Sequence, residues 1–341
     1  MYDIITFGSA TRDVFLKSKG FTEIKEEKRF FNSRGVCFAL GGKVPVSEIQ
    51  LESGGGGTNT AFTFQKQGYK VAYCGVVGKD YAGQESKKEL EENKISTEFV
   101  FSTDKKNTNY SIILSTKNDR TALVYRGASE EMGKKDIPWK KLKAKWFYIA
   151  PLSGKLSNIS EDILRFAKKQ NIKTAINPGN SQLSIPRQKL KKVLNMADIL
   201  ILNQEEASLA TGISYAKEKE IFQCLDKWVE GIVVMTKGPF GLVVSDGKYL
   251  YEAGVLTNKG IVDRTGCGDA FGSGFVSGLI KKTKNKKEIK SQDIEYAIQY
   301  GSVNATSCTR EFGAKNGLME KSKNLYKWGK LKIKKTKIKK S

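Results

Sequence analysis

The sequence predicts an α/β fold of three layers, with helices on both faces of a mostly parallel sheet and a small β-sheet lid. Three observations point there. From Trp146 to Thr236, short apolar runs alternate with segments of helical period, the βαβα rhythm of a parallel sheet. Glycine-bearing turns follow several of the strands, at the carboxyl ends where such sheets gather ligands. The first 130 residues break the rhythm with antiparallel-looking strands, which read as a small sheet projecting from the main body.

Taken in order, Ile4 to Phe7 is a short apolar strand ending at Gly8. Val44 to Leu51 alternates apolar and polar residues and reads as a half-buried strand. Asn59 to Gln67 fits a helix, Lys70 to Val77 a buried strand, and Gly83 to Asn93 a charged amphipathic helix. Tyr110 to Leu114 and Ala122 to Tyr125 pair around a turn at 117–120. Strands follow at Trp146 to Ile149, Thr174 to Ile176, Ile199 to Leu202 and Ile232 to Thr236. Helices near Glu161 to Gln170, Gln188 to Asn195 and Glu205 to Thr211 separate them. Leu242 to Ser245 and Tyr249 to Val255 read as strands joined at Asp246-Gly247, and Ala270 to Ile280 and Tyr300 to Thr309 as helices.

Composition narrows the chemistry. At 341 residues and 39% hydrophobic content, the chain can bury the core of one large domain or two smaller ones. No apolar run reaches the roughly 18 residues that span a bilayer, and the start reads as a strand, not a signal peptide. Cys37, Cys74, Cys224, Cys267 and Cys308 are scattered, as free thiols of a reducing cytoplasm would be. The chain has no His, which removes Ser-His-Asp triads, His–metal sites and His general bases. Of the net charge of +23, ten lysines lie within 321–341, a stretch with no acid. It reads as a solvated lysine-rich tail. Contact with nucleic acid or an acidic membrane surface is the second reading.

The most informative stretch is Asp263-Arg-Thr-Gly-Cys-Gly-Asp269, which leads into an apolar helix. Unpaired N–H groups at a helix N-terminus favour negative charge, and Gly266 and Gly268 leave the backbone bare for close approach. A carboxylate beside an anion cradle suits phosphoryl transfer to an alcohol. The plainer alternative is an Asp capping a helix after a glycine turn. Ser53-Gly-Gly-Gly-Gly-Thr-Asn59 precedes a helix and permits close approach to a ligand, with Asn59 able to donate and accept. Neither a Walker loop nor a dinucleotide fingerprint is present. Asp13, shortly after the first strand, is either a grip on substrate hydroxyls or a loop Asp making a turn. Asn203 and Glu206 at i and i+3 fit a magnesium shell or a capping box. Thr236-Lys-Gly-Pro-Phe-Gly241 fits a nucleotide turn or a common hairpin.

Together and in this order, the pieces resemble the ribokinase-like (PfkB) carbohydrate and nucleoside kinases, from about residue 2 to about 318. Gly54 to Asn59, with Gly68 and Gly75-Val-Val-Gly78-Lys-Asp80, is similar to the family's first signature, and Asp263 to Gly274 to its second. The resemblance implies a ribokinase-like kinase domain over 1–320, with lid segments near 12–52 and 107–127, ahead of the tail at 321–341. It makes Asp269 the base that receives the acceptor hydroxyl's proton, and the amides of Gly266, Cys267 and Gly268 the anion hole. Asn203 and Glu206 would organise magnesium and phosphate, and Thr236, Gly238 and Gly241 would line the nucleotide. Asn304 would lie near the adenine. Asp13, Gly55 and Asn59 would bind substrate hydroxyls. Asp263 and the turn near Gly313 look like the family's monovalent-cation site, which implies K+ beside ATP and Mg2+. A homodimer through the lid is also implied.

The expected activity is therefore ATP-dependent transfer of the γ-phosphate to a hydroxymethyl group of a small sugar. The alternative is an adenosine-kinase-like nucleoside kinase, with Phe30, Phe31 and Phe38 of the lid stacking on a base or forming the lid's own core. A non-catalytic binding protein with a basic tail is the reading from another class. Asp269 is expected to be a weak base, because the helix dipole stabilises its anion. Departures from the family pattern bear on the substrate. Arg264 and Cys267 replace small residues, Gly56 stands where the family's ribokinases carry a lysine, and Phe147 to Leu152 lacks the acid they use on the sugar.

Overall fold

The computed structural model describes residues 1–25, 34–116, 120–257, 259–283 and 288–338. Its centre is a ten-stranded sheet. Seven parallel strands come first: Ser96–Thr103, Val71–Gly78, Tyr2–Phe7, Ala144–Ile149, Lys173–Ile176, Ile199–Asn203 and Ile232–Thr236. Leu242–Ser245, Tyr249–Ala253 and Ile333–Lys337 then extend one edge antiparallel. The strands read as unbroken apolar runs because both faces are covered. Leu200 and Leu202 enter one core with the helices Ser160–Lys169, Arg187–Leu194, Gln204–Thr211 and Glu218–Trp228. Ile199 and Ile201 enter the other, with the helices Gly56–Lys66, Cys267–Thr283 and Ser291–Cys308.

The lid is a second, four-stranded sheet in the order Glu48–Gly54, Thr11–Lys17, Asn109–Ser115, Arg120–Tyr125. Its outer pairs are antiparallel and its central pair parallel. One face turns Asp13, Phe15 and Ile113 inward, where they are buried. The other face leaves Ile49, Leu51, Ile112, Leu123 and Tyr125 exposed. The half-buried strand expected at Val44 to Leu51 is thus displaced to Glu48–Gly54, and its apolar residues face outward. Phe30 and Phe31 lie outside the described residues, as do 117–119 of the lid turn. Phe38 is half-exposed and packs edge-on against Phe21, 5.7 Å between ring centres.

The lysine-rich 321–341 segment does not hang free where it is described. Ile333–Lys337 pairs with Tyr249–Ala253 as an edge strand. The Leu331 N–H donates to Gln299 Oε1 at 2.8 Å, and the Trp328 indole N–H to Ser307 Oγ at 3.0 Å. Leu325, Trp328, Leu331 and Ile333, scattered among its lysines, pack on the body. Lysines along an outer strand also block pairing with another sheet.

Candidate active site

Two helices on one face of the sheet begin at the carboxyl ends of the parallel strands, and their first turns meet. Asn59, in the helix Gly56–Lys66, donates through Nδ2 to Asp269 Oδ2 in the helix Cys267–Thr283, at 2.9 Å. The Asn59 Oδ1 is buried and accepts no hydrogen bond among the described residues. The glycine run before this helix makes room for carboxylates. A Cβ on Gly54 would stand 2.1 Å from Asp13 Oδ2, and one on Gly56 would stand 3.3 Å from Asp269 Oδ1. Gly55 caps the helix with φ of +98°, a conformation that favours glycine. Burial pushes the Asp269 carboxyl above its ordinary range, and the Asn59 amide only partly opposes this. Burial thus acts against the weak base expected from the helix dipole.

The turn before Asp269 is built as a cradle. Gly266 has φ of +70°, and the Ala270 N–H bonds its carbonyl at 2.8 Å. The Cys267 N–H reaches the Arg264 carbonyl at 3.3 Å, a long bond, so one of the three anticipated anion-hole amides is turned inward. The amides that follow belong to the first turn, which has no intrahelical acceptors. A Cβ on Gly268 would meet open space. The cradle opens into a cleft of about 330 Å3 that gathers Asn203, Thr236, Gly238, Gly241, Cys267 and Gly268 from three separate segments. A larger cleft, about 640 Å3, lies at the other end of the sheet. Two of its lysines are closed by their own ion pairs, Lys145–Asp3 and Lys173–Asp198, each at 2.7 Å.

Asn203 and Glu206 form the capping box that their spacing allowed. Asn203 Oδ1 accepts the Glu206 N–H at 2.8 Å, and Glu206 Oε2 accepts the Asn203 N–H at 2.9 Å. The Asn177 amide adds a bond to Glu206 Oε2 at 3.3 Å, so the turn after Ile176 also orients this carboxylate. Burial raises Glu206, against the Asn203 and Asn177 bonds, and Asp269 and Glu205 add to the rise. No group of three His, Cys, Asp or Glu forms a metal cluster among the described residues. A hard cation that keeps most of its water, held by one carboxylate and by phosphate oxygens, fits this donor set.

Two expectations need correcting. Asn304 is fully buried and lies outside the cleft. Its amide donates to the Ala270 carbonyl at 2.7 Å and accepts the Met319 N–H at 2.8 Å, tying two helices and the chain beyond them together. The cleft-facing stripe of its helix is Ser302, Ala305, Thr306 and Thr309, at helical spacing. Asp263 does not present a free carboxylate to a cation. Its Oδ1 takes the Arg120 guanidinium at 2.9 Å and the Thr265 N–H at 3.0 Å, and its Oδ2 takes the Gly313 N–H at 3.1 Å. The structure does bring Asp263 and the Gly313 turn together, as backbone architecture.

Asp13 sits within the lid strand Thr11–Lys17, not in a loop. It is 7% exposed, and burial pushes it up to about 6, with Ser111 and Lys315 opposing. The sequence gives little signal for two contributors. Arg120 binds the lid to the cradle loop through Asp263 and Thr265. Lys315 is buried behind the lid strand. Both act across more than 100 positions of chain and belong to no local pattern.

Residues 2–321 match the family model described as pfkB family carbohydrate kinase. The chain is 25% identical to a ribokinase of Haemophilus influenzae over 284 residues, covering 81% of this chain and 87% of that protein. It is 28% identical to an adenosine kinase of Saccharomyces cerevisiae over 288 residues, covering 79% and 81%. Arabidopsis thaliana ribokinase complexed with ribose and ATP shares the fold, with a TM-score of 0.73 at 18% identity, covering 94% of this chain and 96% of that one. A match across nearly the whole catalytic body, on top of a carboxylate set at a glycine cradle, places the chain in the pfkB family of carbohydrate kinases, phosphotransferases that act on an alcohol group.

Proposed function

We propose that the protein transfers the γ-phosphate of ATP to a hydroxymethyl group of a small sugar. The observation that carries this is the pairing of Asp269 with Asn59 at the mouth of the cradle, where the Asn59 Oδ1 is a buried acceptor awaiting a hydroxyl. In this reading Asp269 takes the proton as the hydroxyl oxygen attacks the γ-phosphorus and ADP leaves. Asp13, Gly55 and Asn59 hold the acceptor's other hydroxyls. The amides of Gly266, Cys267 and Gly268 hold the transferring phosphoryl oxygens, and Cys267 exchanges its long bond to Arg264 for one of them. Thr236, Gly238 and Gly241 line the nucleotide, with the stripe Ser302 to Thr309 on the opposite wall. Glu206, fixed by Asn203 and Asn177, would hold magnesium through water, and the ion would supply neutralisation of the phosphate charge. Potassium would lie by the turn near Gly313, with Asp263 fixing the loop.

The yeast adenosine kinase relative and the absence of an acid in Phe147 to Leu152 favour a nucleoside as the second reading. We place the enzyme in the cytoplasm, consistent with five free cysteines. Among the described residues no helix is long and apolar enough to cross a membrane. The exposed apolar face of the lid suits a second copy of this chain, and we assign the lysine strand to edge protection over nucleic-acid contact. ATP consumption across pentoses, hexoses and nucleosides, with magnesium and potassium present, tests the activity. Turnover with one hydroxymethyl compound supports it, and equal turnover by Asp269→Asn would refute the mechanism.

A further inference from the structure

We propose that Lys315 is a positioning residue for the acceptor: its buried ammonium keeps the Asp13 carboxylate charged, so that Asp13 can accept hydrogen bonds from substrate hydroxyls. This rests on the reading of Asp13 as an acceptor-binding residue. Lys315 is 6% exposed. Its Nζ donates to Ser53 Oγ at 2.7 Å and Glu89 Oε2 at 3.1 Å, and lies 4.4 Å from the centre of the Phe62 ring. Ser53 in turn donates its hydroxyl to Glu89. Ser53 precedes Gly54, the residue whose missing Cβ makes room for Asp13. Ammonium and carboxylate therefore flank one short piece of lid strand.

The charges around Asp13 explain why it needs this cation. Glu52 is its partner across the ladder, and Asp263 and Asp269 press on it from the cradle. Arg120 balances Asp263, and a neutral amide is the hydrogen-bond partner of Asp269. Ser111 supplies Asp13 with a hydrogen bond but no charge, and Lys315 supplies the opposing charge. Burial, Asp263 and Asp269 favour the protonated carboxyl, a donor where the acceptor's hydroxyls call for an acceptor. A lysine that only filled space would be a poor choice here. Its desolvation is unfavourable, and an apolar side chain of similar length often serves stability as well or better.

The test reads Asp13 first in the free protein and then in turnover. Carboxyl 13C NMR, with Asp13 assigned by its loss in Asp13→Asn, should show a midpoint near 6 in the native protein. Lys315→Met should raise that midpoint by about one pH unit, and Lys315→Arg should restore it. Glu89→Gln, at a partly exposed partner, should shift it the other way and serves if Lys315→Met does not fold. In turnover, Lys315→Met should raise the acceptor KM about threefold near pH 6.5 and move the acid limb of kcat/KM upward, with kcat nearly kept. An unmoved Asp13 midpoint in folded Lys315→Met overturns the proposal. A midpoint that moves while KM and its pH dependence stay put overturns the assignment of Asp13 to the acceptor, and the positioning role with it.

Discussion

Two helix starts in this molecule use the same ingredients to opposite ends. At Asn203 the chain leaves a strand and enters a helix with a polar cap and an acid three residues on. The two side chains satisfy each other's backbone, at 2.8 and 2.9 Å. At Gly266 the chain again enters a helix with an acid close behind. Here the cap is a glycine, the acid is bonded to a different helix, and Gly268 leaves open space in front of the first-turn amides. The first turn is closed on itself and can hold its carboxylate still. The second is left open and can work on something else. An unsatisfied helix N-terminus lowers stability, so its presence beside a buried acid marks where binding supplies the missing partner.

The comparison breaks most visibly at Asp269. Asp269→Asn should lower kcat by about 1,000-fold or more, in line with loss of both the base and its charge. The same variant should melt no lower than the native protein at neutral pH, because burial already disfavours the ionised form. Gly268→Ala comes next. A methyl there meets nothing in the free protein, and the residue is not at positive φ. Stability should rise by about 0.5 kcal/mol, while the methyl enters the cradle and turnover falls about 100-fold. Loss of activity together with loss of fold at either site would refute the open-turn reading.

Asp13 tests the same opposition on the lid side. Its folded midpoint, about 6, stands above the unfolded value, so its contribution favours folding below about pH 4 and is lost as pH rises through 6. Asp13→Asn should therefore be more stable than the native protein at pH 7 by on the order of 2 kcal/mol, with the gain vanishing near pH 4. Acceptor binding should be lost in parallel. Paired thermal melts at pH 4 and 7 read the sign directly.

How much of this was legible in the sequence follows from how local each feature is. The alternating strands and helices of the parallel body carry their own periodicity. The cradle and the glycine run are written in consecutive residues, which mark Asn59 and Asp269 without showing that the two touch. Thr11–Lys17 is hard to read as a strand because only one of its faces is buried, and Asp13 interrupts the apolar pattern of that face. Ile333–Lys337 carries three lysines and no buried residue, so no hydrophobic pattern marks it as a strand. Asn304 was misplaced by a fraction of a helical turn. The neighbouring residues at 302, 305 and 306 face the cleft, and the stripe one step round ties the helices together. Arg120 and Lys315 could not be found, since each matters only through a partner brought close by the fold.

The smallest effect is the sharpest test of the closed turn. Asn203→Ala removes the acceptor for the Glu206 N–H and should lower stability by about 1 kcal/mol, as loss of a polar cap usually does. Glu206 keeps its bonds to the Asn203 N–H and to Asn177, so it should remain in place and turnover should fall only a few-fold. Glu206→Gln reverses the pattern. A glutamine at this position can still accept the Asn203 N–H, so the cap survives and the melting temperature should barely change. What it lacks is the charge, so the variant should need more magnesium to reach the same rate. A magnesium titration beside a thermal melt separates the two. Should Asn203→Ala raise the magnesium requirement as much as Glu206→Gln does, the cap and the carboxylate act as one unit, and this turn is no more self-contained than the one at Gly266.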